Sequence, residues 1–400
     1  MVMQIVMFTG IITSPKSNTE NGNTLIVIYL SSMIFFISGV VMQDIIHQIK
    51  RKNFVSNNVI NVNYYTTNHR QYNIILFFIL LSLILSTWFY TYAGVNVFIS
   101  ALNDFFSSSS NTYRDERMSF FNIPGTGYIY QFRTVILPVL NIFLLLAEPS
   151  KKYRRFAKII LPFTVIFLLG TGQRNAFVFV LVFIVIFMYK LHYNSFLKIN
   201  KKTFILFVST SFLFLIILTI ANNRVSEEEN SIFIGAVKSI FERIVSINST
   251  SALSAFNYIQ TQQTAWGYDW LMMIADILPG KTDYLSVDRI VYFIAYGNYS
   301  GTGPPCIWGS AWFNWSYLGV TVYPFFLGLI YQYIYYYFKR SRSRLYLLFY
   351  SFFIVYLGMW TMSSPSFLFN NGIIAMFLLF SLLRYFNSRP LKSSQSLNTK

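Results

Sequence analysis

The residue types that most often carry enzyme chemistry are scarce in this chain: it has one cysteine, Cys306, and three histidines, His47, His69 and His192. A lone thiol forms no disulfide within the chain and builds neither a zinc cluster nor a redox pair. What remains for chemistry is a set of arginines and carboxylates. Arg133 and Arg174 stand out because each lies within or beside an apolar run. An arginine there is unfavourable unless it faces a cavity or a partner. Its planar fork matches phosphate oxygens in pairs and stays charged when partly desolvated. Phosphate or pyrophosphate binding is therefore favoured for both over snorkelling to lipid headgroups. Arg224, Arg243 and Arg289 are further candidates for the same role.

If a proton is abstracted outside, one of the outer carboxylates must take it, Glu20, Asp104, Asp115, Glu116, Glu227, Glu228, Glu229, Glu242, Asp269, Asp276, Asp283 or Asp288, with a pKa raised by burial or by a neighbouring carboxylate. Asp269 and Asp276 are seven residues apart, which places them on one helical face, opposite an apolar stripe of Trp270, Met273, Ile274, Ile277 and Leu278. Exposure to water explains that pair without catalysis. Trp308, Trp312 and Tyr317 are suited to stacking on sugar rings, and the aromatic belt of a membrane interface explains them equally well. They belong to the stretch from Gly301 to Val320, whose glycines and prolines allow an irregular backbone. At membrane depth such backbone is tolerated only where protein or a cavity satisfies it.

The elements that must position these groups are membrane helices. Hydrophobic residues make up 54% of the 400, and only 11% are charged, against about 25% in an average soluble chain. The net charge of +17 is not a nucleic-acid signature, because the cations are clustered. Lys50, Arg51, Lys52 and Arg70 form one group; Lys151, Lys152, Arg154, Arg155 and Lys158 a second; Lys190, Lys198, Lys201 and Lys202 a third. Lys339, Arg340, Arg342 and Arg344 follow, then Arg384, Arg389, Lys392 and Lys400. Each group flanks an apolar run of spanning length, as the positive-inside rule requires of cytoplasmic loops. These clusters hold 21 of the 31 basic residues, with only Asp44 and Glu148 among them. The three histidines fall on the same side. No cleavable signal peptide is expected.

Runs near Thr24 to Ile46, Asn73 to Ser100, Thr126 to Ala147, Ile159 to Thr171, Asn175 to Leu191, Thr203 to Ala221, Ile307 to Phe338, Leu345 to Met362 and Asn371 to Phe386 predict nine helices. The short stretch Val2 to Thr13 makes a tenth if the charge alternation is kept. Ile159 to Thr171 and its partner, joined by the turn at Gly172-Gln173-Arg174, read as a hairpin dipping from the outer face. The expected fold is an all-α, polytopic integral membrane protein of about ten transmembrane helices, with both termini cytoplasmic. Its parts are transmembrane helices over 1–221, a large external loop over 222–306, further transmembrane helices over 307–387 and a cytoplasmic tail over 388–400. The external loop carries amphipathic interfacial helices, one through Ile240, Phe241, Ile244, Val245 and Ile247 and one through Trp270. Long loops of this kind are where function concentrates.

Gly170-Thr-Gly-Gln-Arg-Asn-Ala176 and the run from Gly303-Pro-Pro to Trp315-Ser-Tyr-Leu-Gly319 resemble, respectively, the Gly-Ser-Arg-Gly-like turn and the Gly-x-Pro, aromatic-rich segment of bacterial polysaccharide repeat-unit polymerases of the Wzy type. The chain departs from that pattern at Asn175, where the turn usually has glycine, and at Ser316-Tyr317-Leu318, where phenylalanine precedes the family's glycine. The resemblance implies a GT-C-like glycosyltransferase in the bacterial inner membrane, polymerising O-antigen or capsule units. Donor and acceptor would be undecaprenyl-pyrophosphate-linked glycans, and a chain-length regulator and a flippase would be partners. The arginines would bind pyrophosphate, and the resemblance narrows the outer carboxylates to Glu242, Asp269, Asp276 and Asp288, one of which would deprotonate the acceptor hydroxyl. No carboxylate-rich motif of the kind found in metal-dependent membrane glycosyltransferases follows the first span, so the reaction is expected to need neither metal nor cofactor. Two other readings remain. An O-antigen ligase shares the architecture but resembles a family that uses an outer histidine. A flippase or transporter would more often show internal repeats and polar residues along several spans.

Overall fold

The computed structural model describes residues 2–13, 20–54, 68–100, 103, 120, 126–172, 174–198, 200–221, 234–235, 237–238, 248–275, 278, 284–297, 303, 306–339 and 343–387. Among these, every extended element is a helix. In chain order they are α1 (Val2–Thr13), α2 (Glu20–Phe54), α3 (His69–Ala93), α4 (Thr126–Gln131), a π-turn (Phe132–Ile136), α5 (Leu137–Leu146), α6 (Lys151–Leu169), α7 (Arg174–Tyr193) and α8 (Lys201–Ala221). Then come α9 (Asn248–Gln260), α10 (Tyr268–Ala275), α11 (Val287–Tyr296), α12 (Cys306–Trp315), α13 (Tyr317–Lys339), α14 (Arg344–Trp360), α15 (Phe367–Asn370) and α16 (Ile373–Asn387). Among the described residues, five helices are long and apolar enough to cross a membrane: Asn21–Ile49, His69–Ala93, Gly127–Leu146, Ala176–Tyr193 and Tyr317–Phe338. Four shorter apolar helices accompany them. Apolar side chains also cover the outside: on α3, Phe77, Leu80 and Ile84 are 59%, 49% and 65% exposed at helical spacing. That is the surface of an all-α membrane protein.

All nine expected runs are helical, but several bounds change, and the first run extends from Glu20 to Phe54, well past Ile46. The run from Asn73 stops at Ala93, because Gly94 takes a left-handed conformation that ends the helix. The helix expected from Ile159 begins at Lys151, since lysine and arginine are good helix formers and continue the apolar run behind Ser150. The hairpin limbs α6 and α7 therefore have 19 and 20 residues and are not short. The single helix expected over Ile307 to Phe338 is broken between Trp315 and Tyr317, where Ser316 adopts φ 51°.

The most extensive helix pair is α2 with α13. A β-carbon at Gly39 would lie 2.0 Å from Phe325 O, and one at Gly328 would lie 2.1 Å from Phe36 O. The two backbones therefore touch at reciprocal glycines, the small-residue packing that replaces hydrophobic drive inside lipid.

Contacts gather the basic clusters at one end of the bundle. At the start of α3, Asn68 and Gln71 donate to Phe386 O and Leu383 O at the finish of α16. Tyr72 donates to Glu148, which follows α5. Lys190 of α7 lies over the Tyr350 ring of α14, and Arg384 over the Tyr337 ring of α13. Asp44, late in α2, accepts from Gln332 and Tyr336, late in α13. Because α6 and α14 begin among the basic residues at Lys151 and Arg344, the turn 170–172 and the segment 361–372 that follow them lie at the opposite, far end, where Ile307 N of α12 bonds to Thr361 O at 3.4 Å. There α9, α10 and α11 form a small core of their own from Ala255, Ile259, Met273, Val287 and Val291, against Trp312 and Phe313.

Candidate functional site

Arg133 sits in the π-turn. Pro138, one residue into α5, has no N–H to donate to the carbonyl four residues earlier, and its ring crowds that carbonyl. The helix responds by widening, and Leu137 N bonds to Phe132 O in an i to i−5 bond. The wide turn aims Arg133 inward, where it is 1% exposed. Its Nη1 lies 2.8 Å from the Tyr90 hydroxyl, 3.1 Å from Thr171 Oγ1 and 3.3 Å from Phe167 O. The guanidinium carbon stands 5.2 Å, 5.8 Å and 5.1 Å from the ring centres of Phe89, Tyr90 and Tyr130. Its Nε, fully buried, has no hydrogen-bond partner among the described residues. Snorkelling is thereby excluded: the side chain points into protein, held by neutral oxygens and aromatic faces.

The same contacts join Arg133 to the glycine-rich turn. Gly170 packs where a β-carbon would be 2.5 Å from the Tyr90 hydroxyl, and its carbonyl accepts from Val97 N at 2.8 Å. Thr171, two residues from the start of the segment that leads to Arg174, receives the Arg133 bond. Arg174 opens α7 just beyond. Arg133 is thus brought by α3, the π-turn and α6 to the turn that precedes Arg174 in the chain.

The second cluster is built on α10, α11 and the segment after α14. Asp269 is fully buried, which corrects the expectation that it is solvated opposite an apolar stripe. Asp269 and Met273 are four residues apart, so they share the face that packs into the small core. The exposed apolar face of α10 is a different one, with Leu271 63% and Ile274 42% exposed. Asp269 Oδ1 accepts from the Tyr284 hydroxyl at 2.8 Å and from Val287 N, the first residue of α11, at 3.1 Å. It therefore caps α11 from outside, where a negative charge is favoured by the helix dipole. Burial raises the Asp269 pKa above the ordinary aspartate value, against the bonds from Tyr284 and Val287.

Asp288, in the first turn of α11, is 2% exposed. Ser364 donates to its Oδ2, and Ser364 Oγ lies 2.9 Å from Ser366 Oγ. Its Oδ1, like Asp269 Oδ2, is buried with no partner among the described residues. Its backbone carbonyl accepts from Gly303 N at 2.8 Å, which joins the Gly303-Pro-Pro motif to this carboxylate. Burial pushes the Asp288 pKa up to about 7, helped by the charge of Asp269 and opposed by the Ser364 bond and the Arg289 charge. A carboxylate poised near neutrality is suited to accept a proton.

One short segment touches both clusters. Ser364 bonds Asp288, and eight residues on Gly372 packs where a β-carbon would be 3.1 Å from Val135 of the π-turn.

The remaining expected residues divide. Arg289 is half-buried beside Asp288. Arg224, Glu242, Arg243, Asp276 and the helix expected through Ile240 to Ile247 lie outside the described residues. Trp308 is not a sugar platform, because it is fully buried between Phe36 and Tyr323. Trp312 is half-buried against Tyr317, which is itself 74% exposed. The motif glycine Gly319 packs against the Ala311 carbonyl, closing α12 onto α13. Sequence reasoning missed Tyr90, Thr171, Tyr284 and Ser364. The last had a signal, the polar run Thr361-Met-Ser-Ser-Pro-Ser366 between two apolar helices.

No protein-family model, curated protein or solved structure matches the chain.

Proposed function

We propose that the protein is a polysaccharide repeat-unit polymerase of about ten spans, working at the outer face of a bacterial inner membrane with both termini cytoplasmic. In this reading Asp288 removes the proton from a sugar hydroxyl of a lipid-linked acceptor. Arg133, with Arg174 at the next turn, stabilises the charge that develops on the departing undecaprenyl pyrophosphate. The new bond joins the acceptor oxygen to the donor's anomeric carbon, and the pyrophosphate leaves with the bonding electrons. The observation that carries the reading is Asp288 itself: a sealed carboxylate with one oxygen unpartnered among the described residues and a pKa near 7, at the bundle end away from the cation clusters. Its cover must move for an acceptor to reach Oδ1. Arg133 supplies the second half, a fixed guanidinium with no carboxylate bonded to it among the described residues.

An O-antigen ligase reading is weakened because His47, which stacks on Tyr336, and His69, which opens α3, both belong to the basic end. The test is reconstitution with undecaprenyl-pyrophosphate-linked repeat units and inspection of the product on a gel. A ladder is expected from the wild type and none from Asp288→Asn or Arg133→Lys at equal amounts of folded protein. Movement of the lipid-linked unit across the bilayer without elongation would place the protein among transporters.

A further inference from the structure

We propose that Ser364 and Ser366 are positioning residues that form the route by which Asp288 exchanges its proton with the outside. The proposal rests on reading Asp288 as a base, but its test needs no turnover. A base that takes a proton in each cycle must lose it before the next, and a carboxylate that is 2% exposed cannot hand a proton straight to bulk water.

The two oxygens of Asp288 differ in a way that suits this task. Oδ1 has no partner among the described residues and is left to receive a proton. Oδ2 is bonded to Ser364, which is 1% exposed, and Ser364 is bonded to Ser366, which is half-buried. The chain of hydroxyls thus runs from the sealed carboxylate toward the surface. Pro365 stands between the two serines and Phe367 N bonds back to Ser364 O at 3.0 Å, so a closed turn fixes the spacing of the hydroxyls. The other charged groups near Asp288 do not offer a competing exit. Asp269 is itself fully buried, with Oδ1 accepting from Tyr284 and Val287, and a guanidinium such as that of Arg289 is donor-only and takes up no proton.

The proton balance is simple. With Asp288 ionised, Ser364 donates to Oδ2 and Ser366 donates to Ser364. The proton taken up on Oδ1 reaches Ser364 once the carboxyl turns about its Cβ–Cγ bond and exchanges its two oxygens. The chain then turns over: the carboxyl donates to Ser364, Ser364 to Ser366, and Ser366 releases its own proton to water. Each hydroxyl accepts one proton and gives up one, and Asp288 ends as the anion.

The test uses the full-length protein in lipid nanodiscs and infrared spectroscopy. The stretching band of the protonated Asp288 carboxyl is identified at pH 6 as the band missing in Asp288→Asn, and its shift is timed after transfer to heavy water. Ser364→Ala and Ser366→Ala are expected to slow that exchange about tenfold or more, each factor of ten being one step of about 1.4 kcal/mol in barrier. Ser366→Thr, which keeps the hydroxyl, is expected to exchange at the wild-type rate. An unchanged rate in both alanine variants, or a threonine variant as slow as the alanine one, would overturn the proposal. If Ser364→Ala does not fold, Ser366→Ala and its threonine rescue decide alone. Slowed exchange in a protein that makes no polymer would leave the relay standing and count against the polymerase.

Discussion

At the scale of single residues, the defining feature is a pair of buried aspartates doing different work. Asp269 has its Oδ1 committed to Tyr284 and the start of α11, whereas Asp288 keeps an Oδ1 with no partner among the described residues. Because the folded state holds the Asp288 proton up to about pH 7, and an unfolded aspartate releases it near its ordinary value, the folded state binds more protons in between. Stability therefore falls as pH rises through that window. Asp288→Asn, neutral at every pH, is expected to melt with the wild type at pH 4 and above it at pH 8, as thermal unfolding at the two pH values will show. Activity has the opposite sign, since only the anion is a base: the wild-type rate should climb through a midpoint near pH 7. Asp269→Asn retains an oxygen for Tyr284 and Val287 while removing the like charge. Its pH–rate curve is therefore expected to move to lower pH with little loss of melting temperature.

Trp308 and Tyr317 show why residue type alone misleads. Both are aromatic and belong to one motif, yet one is sealed and the other 74% exposed. Trp308→Ala is expected to lower stability by about 3 to 5 kcal/mol, as truncation of a buried aromatic does. Tyr317→Ala should leave the melting temperature nearly unchanged and act, if at all, on product length. Denaturation and gel analysis of the two variants separate these effects.

At the scale of elements, helix existence was legible because each apolar run is long. Helix ends were legible only where a residue enforces them, as Gly94 does for α3. The break at Ser316 had no such marker, because a serine at φ 51° is imposed by packing of α12 on α13 and not by local preference. The inward face of α10 was misread for a related reason. The apolar stripe on that helix is real, but two apolar faces exist, one for the core and one outward, and spacing alone does not say which of them Asp269 joins. The touching glycines of α2 and α13 give a sharper prediction. Gly328→Ala places a β-carbon about as close to Phe36 O as the 2.1 Å measured from the ideal position. The pair must separate, and the melting temperature is expected to fall. Gly127→Ala meets nothing within 4 Å and is expected to be neutral, or stabilising by up to about 1 kcal/mol.

At the scale of the molecule, the clustering of cations is the feature most plainly written in the sequence, and among the described residues members of those clusters meet at one end. The site at the other end was only half legible. Arg133 and Arg174 were recognisable as unusual groups, whereas the sequence marks Asp288 only as one of several carboxylates and the spacing of Asp269 suggests a solvated face. Their partners Tyr90, Thr171, Tyr284 and Ser364 come from remote parts of the chain, and no local pattern announces such meetings. The account as a whole requires the far end to face the outside, where exported lipid-linked sugars arrive. The direct measurement is labelling with a membrane-impermeant maleimide in intact cells, after replacing the buried Cys306 and introducing one cysteine at Gln262, exposed after α9, or at Lys152, exposed at the start of α6. Labelling at 262 in intact cells, and at 152 only after permeabilisation, is the predicted result; the reverse pattern would contradict the account.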